Sequence, residues 1–101
     1  MKTGLIDVLR SWSAKQDQRL ASRGVKVKFF DGGAESAYID LQSELTISRV
    51  SLWENGLCDV ESLSIATSDQ VLCQHYEGLQ GDRLVPLLEG LVNWMMEFRE
   101  D

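Results

Sequence analysis

The segment Arg49–Glu61 constrains the fold most, because apolar and polar residues alternate on both sides of a short turn, which predicts a β-hairpin. A loop of residues 54–56, with Gly56 at the position of positive φ, places Leu52 opposite Cys58. A two-residue turn would shift the register by one residue and set apolar side chains opposite carboxylates. We therefore predict the three-residue loop.

This register also predicts which hairpin residues face solvent. The opposite face of the ribbon carries one ion pair and two pairs that tolerate water. These pairs are Arg49 with Glu61, Ser51 with Asp59, and Trp53 with Leu57.

Two more strands are predicted upstream, on either side of the turn-rich run Asp31–Glu35. Treating those five residues as the loop pairs Phe29 with Ala37. A second loop, around residues 43–46, joins this hairpin to the one described above. The combined register predicts a row of alternating charge across four strands, formed by Lys26, Asp40, Arg49 and Glu61.

The fifth strand is predicted from Val71 to Glu77, but its orientation stays open. Leu63 and Ile65 are out of phase with the strand that precedes them, which indicates a bulge or a twist. Beyond it the inward residues are one of two sets, Val71, Cys73 and His75 or Leu72, Gln74 and Tyr76.

Helices are predicted at both ends of the chain. The first runs from about Leu5 to Arg23, where Thr3 can cap the N-terminus and Arg23-Gly24 is a stop signal. The second begins near Asp82 and tolerates a proline in its opening turn. Its apolar face comprises Leu84, Leu87, Leu88, Leu91, Trp94, Met95 and Phe98.

The predicted architecture is α-β-β-β-β-β-α, an α+β fold in which both helices cover one face of a five-stranded antiparallel sheet. A chain of 101 residues can bury one hydrophobic core, so residues 1–101 are interpreted as a single domain. We expect Cys58 and Cys73 to be reduced core thiols, about six residues out of step if their strands are neighbours.

Charge and hydropathy restrict the possible partners. A net charge of −6 argues against nucleic acid and anionic membranes and is compatible with a basic protein. The sequence contains no long apolar run and no start typical of a signal peptide, so we expect a cytoplasmic protein, as a monomer or weak dimer.

Residues suited to catalysis are sparse. His75 is the only histidine, and the sequence contains no phosphate-binding loop, serine elbow or spaced metal ligands. Cys73 and His75 would lie on one strand face without converging. We therefore predict no catalytic residues, no metal and no cofactor, and do not expect an enzyme.

Three segments together resemble a known family. Arg49–Glu61, then His75-Tyr76-Glu77, then a C-terminal helix with Asn93-Trp94-Met95, are similar to bacterial immunity proteins of the TriTu type. Such proteins are cognate to polymorphic or contact-dependent inhibition toxins. The resemblance implies a non-enzymatic cytoplasmic inhibitor that binds a toxin domain, and it identifies no contact residue.

The predicted register supplies a candidate surface for that partner. Aromatic and apolar side chains gather at one end of the polar sheet face, beside carboxylates, as in a protein-binding hot spot facing a basic partner. The candidate toxin-binding residues are Tyr38, Asp40, Trp53, Leu57, Asp59 and Glu61, with Phe30 beside them.

Two alternatives stay open from the sequence. The N-terminal helix or a dimer mate could cover the apolar end of this face. A small acidic α/β chain could also be a secretion chaperone that holds an extended segment of an effector.

Overall fold

A computed structural model describes residues 4–33 and 35–99 of the chain. Five strands form one antiparallel sheet in sequence order, with a helix before and a helix after it, which confirms the predicted α+β architecture. The elements are α1 (Leu5–Ser22), β1 (Lys26–Asp31), β2 (Ser36–Gln42), β3 (Thr46–Trp53), β4 (Cys58–Ser64), β5 (Gln70–Tyr76) and α2 (Gly81–Glu97).

The β3–β4 hairpin has the predicted register. Leu52 lies opposite Cys58. The N–H of Trp53 donates to the carbonyl of Leu57 at 2.9 Å, which leaves three residues in the loop. Gly56 has a φ of +95°, in the region that favours glycine. The register of β3 against β2 is also confirmed.

The predicted β1–β2 register is wrong by two residues, since Phe29 lies opposite Ile39 and not Ala37. β1 continues to Asp31, whose side chain accepts a hydrogen bond from the N–H of Gly33 at 3.1 Å. This local contact lets the chain reverse direction in fewer residues than the predicted five-residue loop.

A shift of two residues keeps each side chain on its predicted face. It changes the neighbours across the strands, so Lys28, and not Lys26, lies opposite Asp40. The row of alternating charge therefore begins at Lys28.

The irregularity predicted in β4 is confirmed, because its register with β5 shifts between Ser62 and Leu63. The inner face continues with Ser62 and Ser64, which are buried, while Leu63 turns outward. β5 has the second of the two orientations left open. Its inward residues are Leu72, Gln74 and Tyr76.

The two cysteines differ more than predicted. Cys58 is buried, but Cys73 is exposed, so the prediction of a core thiol is wrong for Cys73. Cys58 pairs with Tyr76, three residues from Cys73, so the predicted offset of about six residues is also too large. The two side chains lie on opposite faces of the sheet, and both thiols are free.

α1 begins at a Gly4 cap that makes no side-chain capping hydrogen bond, and Thr3 lies outside the described residues. The helix ends where Gly24 adopts a φ of +80° and the N–H of Val25 donates to the carbonyl of Leu20 at 2.8 Å. In α2, Pro86 is the sixth helical residue, in the second turn and not the opening turn as predicted.

Both helices bury their apolar stripes against the inner face of the sheet. The core joins fully buried side chains of α1, the strands and α2, among them Leu9, Leu20, Ile39, Val50, Leu84 and Leu88. The helices are also linked at the surface, where Arg19 donates two hydrogen bonds of 2.8 Å to the carboxylate of Glu89. The opposite sheet face is thereby left without a helix.

Candidate functional site

The face of the sheet that points away from the helices, called here the outer face, carries all six candidate residues. They are Tyr38, Asp40, Trp53, Leu57, Asp59 and Glu61. α1 lies against the inner face, so the first of the alternatives left open above, burial of the apolar end by the N-terminal helix, does not occur.

Aromatic rings gather at one end of the outer face. The rings of Phe30 and Tyr38 are stacked, with centroids 4.7 Å apart. Their contact follows from the corrected register, which places these two residues directly opposite each other. Trp53 is partly exposed, and its backbone pairs with Leu57 across the hairpin. This end thus offers rigid apolar surface held by strand pairing.

Charged residues cross the middle of the outer face. Arg49 donates to both carboxylate oxygens of Asp40, at 2.8 and 3.1 Å, and its guanidinium lies 4.3 Å from the ring centroid of Tyr38. The hydrogen bonds to Asp40 raise the pKa of Arg49. Asp40 is thus already paired within the chain, and this network holds the Tyr38 ring in place.

His75 belongs to the outer face, which the sequence did not predict. Its Nδ1 lies 2.5 Å from Asp59 Oδ1, and its Nε2 lies 3.5 Å from a carboxylate oxygen of Glu77. The hydrogen bond with Asp59, followed by that with Glu77, raises the pKa of His75. The positive charge of the protonated ring would offset part of the negative charge of these carboxylates.

A second apolar group at the other end of the outer face was also missed. Ile47, Leu63 and Ile65 are 38%, 37% and 44% exposed. The signal was present in the sequence, because Leu63 and Ile65 continue the alternation of Asp59 and Glu61. The prediction that Leu63 and Ile65 are out of phase with the core residues was correct, and the structure shows that they belong to the outer face.

Metal-ligand clusters, membrane-spanning helices and a reactive thiol are the remaining features that could indicate a function. Residues 4–33 and 35–99 contain no cluster of three or more His, Cys, Asp or Glu side chains that could hold a metal. Neither helix in those ranges is long and apolar enough to span a membrane. Burial, followed by the charge of Asp59, raises the pKa of the Cys58 thiol to about 11, so this thiol is a poor nucleophile at neutral pH.

The family model described as Immunity protein TriTu matches residues 7–94. This chain belongs to that family. The match covers all five strands and most of both helices, so it confirms the resemblance noted in the sequence. No curated protein and no solved structure matched the chain.

Membership of the TriTu family gives the chain an immunity role, which is the neutralisation of a toxin. The family implies an inhibitor without catalytic activity. It favours the immunity interpretation over the secretion chaperone, the second alternative left open by the sequence.

Proposed function

We propose that this TriTu protein neutralises its cognate toxin in the cytoplasm by binding a basic toxin domain with the outer face of its sheet. The observation that carries the proposal is that neither helix covers this face, although it presents apolar rings beside carboxylates. Such a combination is typical of hot spots in protein interfaces.

Trp53 and Leu57 are the proposed apolar anchor. Both are partly exposed, and both lie next to the β3–β4 turn. The turn geometry restricts their backbones, so little conformational entropy would be lost when a partner covers them. Stacking of Phe30 on Tyr38 restrains two more rings at the same end.

Asp59 and Glu61 are the proposed source of electrostatic attraction. Both are exposed, and the contact of Glu61 with the amide of Gln70 is long, at 3.4 Å. Asp59 contacts His75, which offsets its charge only when the ring is protonated. Asp40 contributes less to the field because Arg49 pairs with it. The net charge of −6 adds a long-range attraction for a basic domain.

The proposal can be tested by co-expressing this chain with the toxin domain encoded by the adjacent open reading frame. Cell survival and co-purification are scored for wild type and for a Trp53→Ala, Asp59→Lys double variant. The matched control is Val85→Ala, Glu97→Lys, which makes the same two kinds of change at exposed positions of α2.

We expect wild type and the α2 control to protect and to co-purify, and the outer-face variant to do neither while its melting curve stays cooperative. Full protection by the folded outer-face variant would exclude this face as the binding surface. Failure of wild type to bind the toxin domain would contradict the proposed function itself.

A further inference from the structure

A groove of about 810 Å³ opens between β5 and α2, on the opposite side of the sheet from the outer face. The inward side chains of β5, Leu72 and Tyr76, form one wall, and Leu87 and Trp94 of α2 form the other. These four side chains pack against the core but keep part of their surface exposed. The sandwich is therefore incompletely closed along β5.

β5 is also an edge of the sheet, since β4 is its only neighbouring strand among residues 4–33 and 35–99. The N–H of Ser64 donates to the carbonyl of Asp69 at 2.9 Å, which indicates that the even-numbered residues of β4 face β5. In the regular part of the ladder these residues pair with Leu72, Gln74 and Tyr76, so Cys73 and His75 direct their N–H and C=O groups away from β4. These groups are placed to pair with an added strand.

The two edges of the sheet differ in their protection against added strands. β1 carries Lys26 and Lys28, and charged side chains on an edge discourage further pairing. β5 contains no lysine, arginine, carboxylate or proline between Gln70 and Tyr76. The edge without such protection is the one beside the groove.

Gly90 supplies an independent observation on the helical wall. It lines the groove in the middle of α2, where glycine lowers helix stability by about 1 kcal/mol relative to alanine. A Cβ at this position would meet no heavy atom within 4 Å, so the packing of the chain does not require glycine. Its absence of a side chain leaves room for another backbone to approach α2.

Charge indicates the kind of strand that fits. An added strand would alternate between the groove and the outer face, where its nearest neighbours on β5 would be Cys73 and His75. His75 lies between two carboxylates, Asp59 on β4 and Glu77 after the end of β5, which give this edge its negative charge. Apolar residues of the added strand would fit the groove, and basic residues would fit the outer face. A second copy of this chain is disfavoured, because it would bring its own acidic face, from a chain of net charge −6, against these carboxylates.

We propose that β5 accepts an extended strand of the toxin as a sixth strand of the sheet, with alternate apolar side chains inserted into the groove and basic ones beside the outer face. This inference rests on the proposed toxin binding and adds its structural mode. It makes the outer face and the groove two sides of one interface, joined at β5.

The first test fills the groove without unfolding the protein. Gly90→Leu places a side chain in the groove and raises helix propensity, and Gly90→Ala is its control with only a methyl group added. With the toxin domain from the adjacent reading frame, we expect Gly90→Leu to weaken binding on the order of tenfold or more, although its melting temperature does not fall. Gly90→Ala should bind within about threefold of wild type.

The second test blocks the edge. Cys73→Pro removes an N–H that points away from β4, so it preserves the pairing with β4 while preventing an added strand. Cys73→Ser keeps the N–H and is the control. We expect Cys73→Pro to lose affinity for the toxin domain and Cys73→Ser to keep it. In the wild-type complex, the backbone amides of β5 should exchange more slowly than in the free protein.

Wild-type affinity for both Gly90→Leu and Cys73→Pro would overturn the added-strand inference and leave the proposed function standing. A wild-type dimer that Cys73→Pro converts to monomer, seen by analytical ultracentrifugation, would overturn it in favour of a second copy at this edge. If wild type does not bind the toxin domain, the proposed function fails first and this inference fails with it.

Discussion

Glu54 links the β3–β4 turn to the start of the first helix, because its Oε1 accepts a hydrogen bond of 3.1 Å from the backbone N–H of Ile6. The Gly4 cap cannot satisfy the free N–H groups of that helix end, so a carboxylate from a distant turn does so. This hydrogen bond thus connects the β3–β4 hairpin, which carries Trp53 and Leu57, to the helical layer.

We expect Glu54→Ala to lower the free energy of unfolding by about 1 kcal/mol, because it removes this cap and its favourable charge at the helix N-terminus. Glu54→Gln should cost less, since the amide keeps an acceptor oxygen. Urea denaturation measures the change, with Glu44→Ala as the control at an exposed glutamate. A similar loss for Glu44→Ala would show that the effect is not capping.

Gly56 should tolerate no side chain, for two separate reasons. Its φ is +95°, and a Cβ would lie 2.9 Å from the backbone nitrogen of Leu79. Gly56→Asn should therefore destabilise the protein by about 2 kcal/mol or more, although asparagine often adopts positive φ.

Gly24→Asn is the matched control for this substitution, because Gly24 also has positive φ, +80°, but a Cβ there meets nothing within 4 Å. It should cost below about 1 kcal/mol. Thermal unfolding of Gly24→Asn measures the cost of positive φ alone, and that of Gly56→Asn measures this cost together with the steric clash. Equal losses of stability in the two variants would mean that the close contact between Leu79 and Gly56 does not affect stability.

The contact between His75 and Asp59 should make stability depend on pH. The pKa of His75 is raised in the folded state, so the stabilisation is complete below the ordinary histidine pKa of about 6.5 and is lost as pH rises through the folded value. The melting-temperature difference between wild type and Asp59→Asn should therefore be larger at acidic than at alkaline pH.

Because the sequence has a single histidine, NMR can follow its ring directly. Its titration midpoint should lie above the ordinary value in wild type and move down in Asp59→Asn. A midpoint that the substitution leaves in place would refute the assigned partner.

The two cysteines should react differently with a thiol reagent. At pH 8 Cys73 should be labelled quickly because it is exposed, whereas Cys58 should react only after unfolding, since it is buried and its pKa is about 11. Mass spectrometry after timed labelling, with Cys73→Ser as control, gives both rates. Rapid labelling of that control in the folded state would contradict the burial of Cys58.

Binding kinetics should separate the two contributions proposed for the outer face. Trp53→Ala should mainly increase the dissociation rate and cost about 2 kcal/mol or more of affinity, because it removes an anchor. Asp59→Lys should mainly slow association and reduce its dependence on salt. Surface plasmon resonance over a salt series measures both, with affinities corrected for the folded fraction. Identical changes of the association and dissociation rates in the two variants would argue against separate roles for Trp53 and Asp59.

The β3–β4 hairpin and the orientation of four strands could be predicted because alternation is a local property. A short loop leaves two registers, and only one of them pairs Leu52 with Cys58 and keeps carboxylates out of the core. The loop after β1 is different, because its alternative registers differ by two residues and the sequence pattern does not distinguish them. Registers two residues apart keep every side chain on the same face, so hydrophobic patterning could not separate Phe29 opposite Ala37 from Phe29 opposite Ile39.

The candidate site was predictable for similar reasons. Residues on β2 to β4 were assigned to one face by alternation, and the structure brings them together there. His75 and the groove were not predictable, because the register shift after Ser62 decides which side of β5 faces inward. Placement of α2 across the sheet then leaves Leu72 and Tyr76 partly uncovered.

The order of residues along the chain therefore determined the elements, the faces of the first four strands and the family resemblance of this protein. Contacts between residues far apart in sequence decided the rest, including the capping of Ile6 by Glu54 and the close approach of Leu79 to Gly56. The physical reason is that alternation and turn chemistry act over a few residues. Helix capping from a distance, edge exposure and groove width depend on how the finished layers pack.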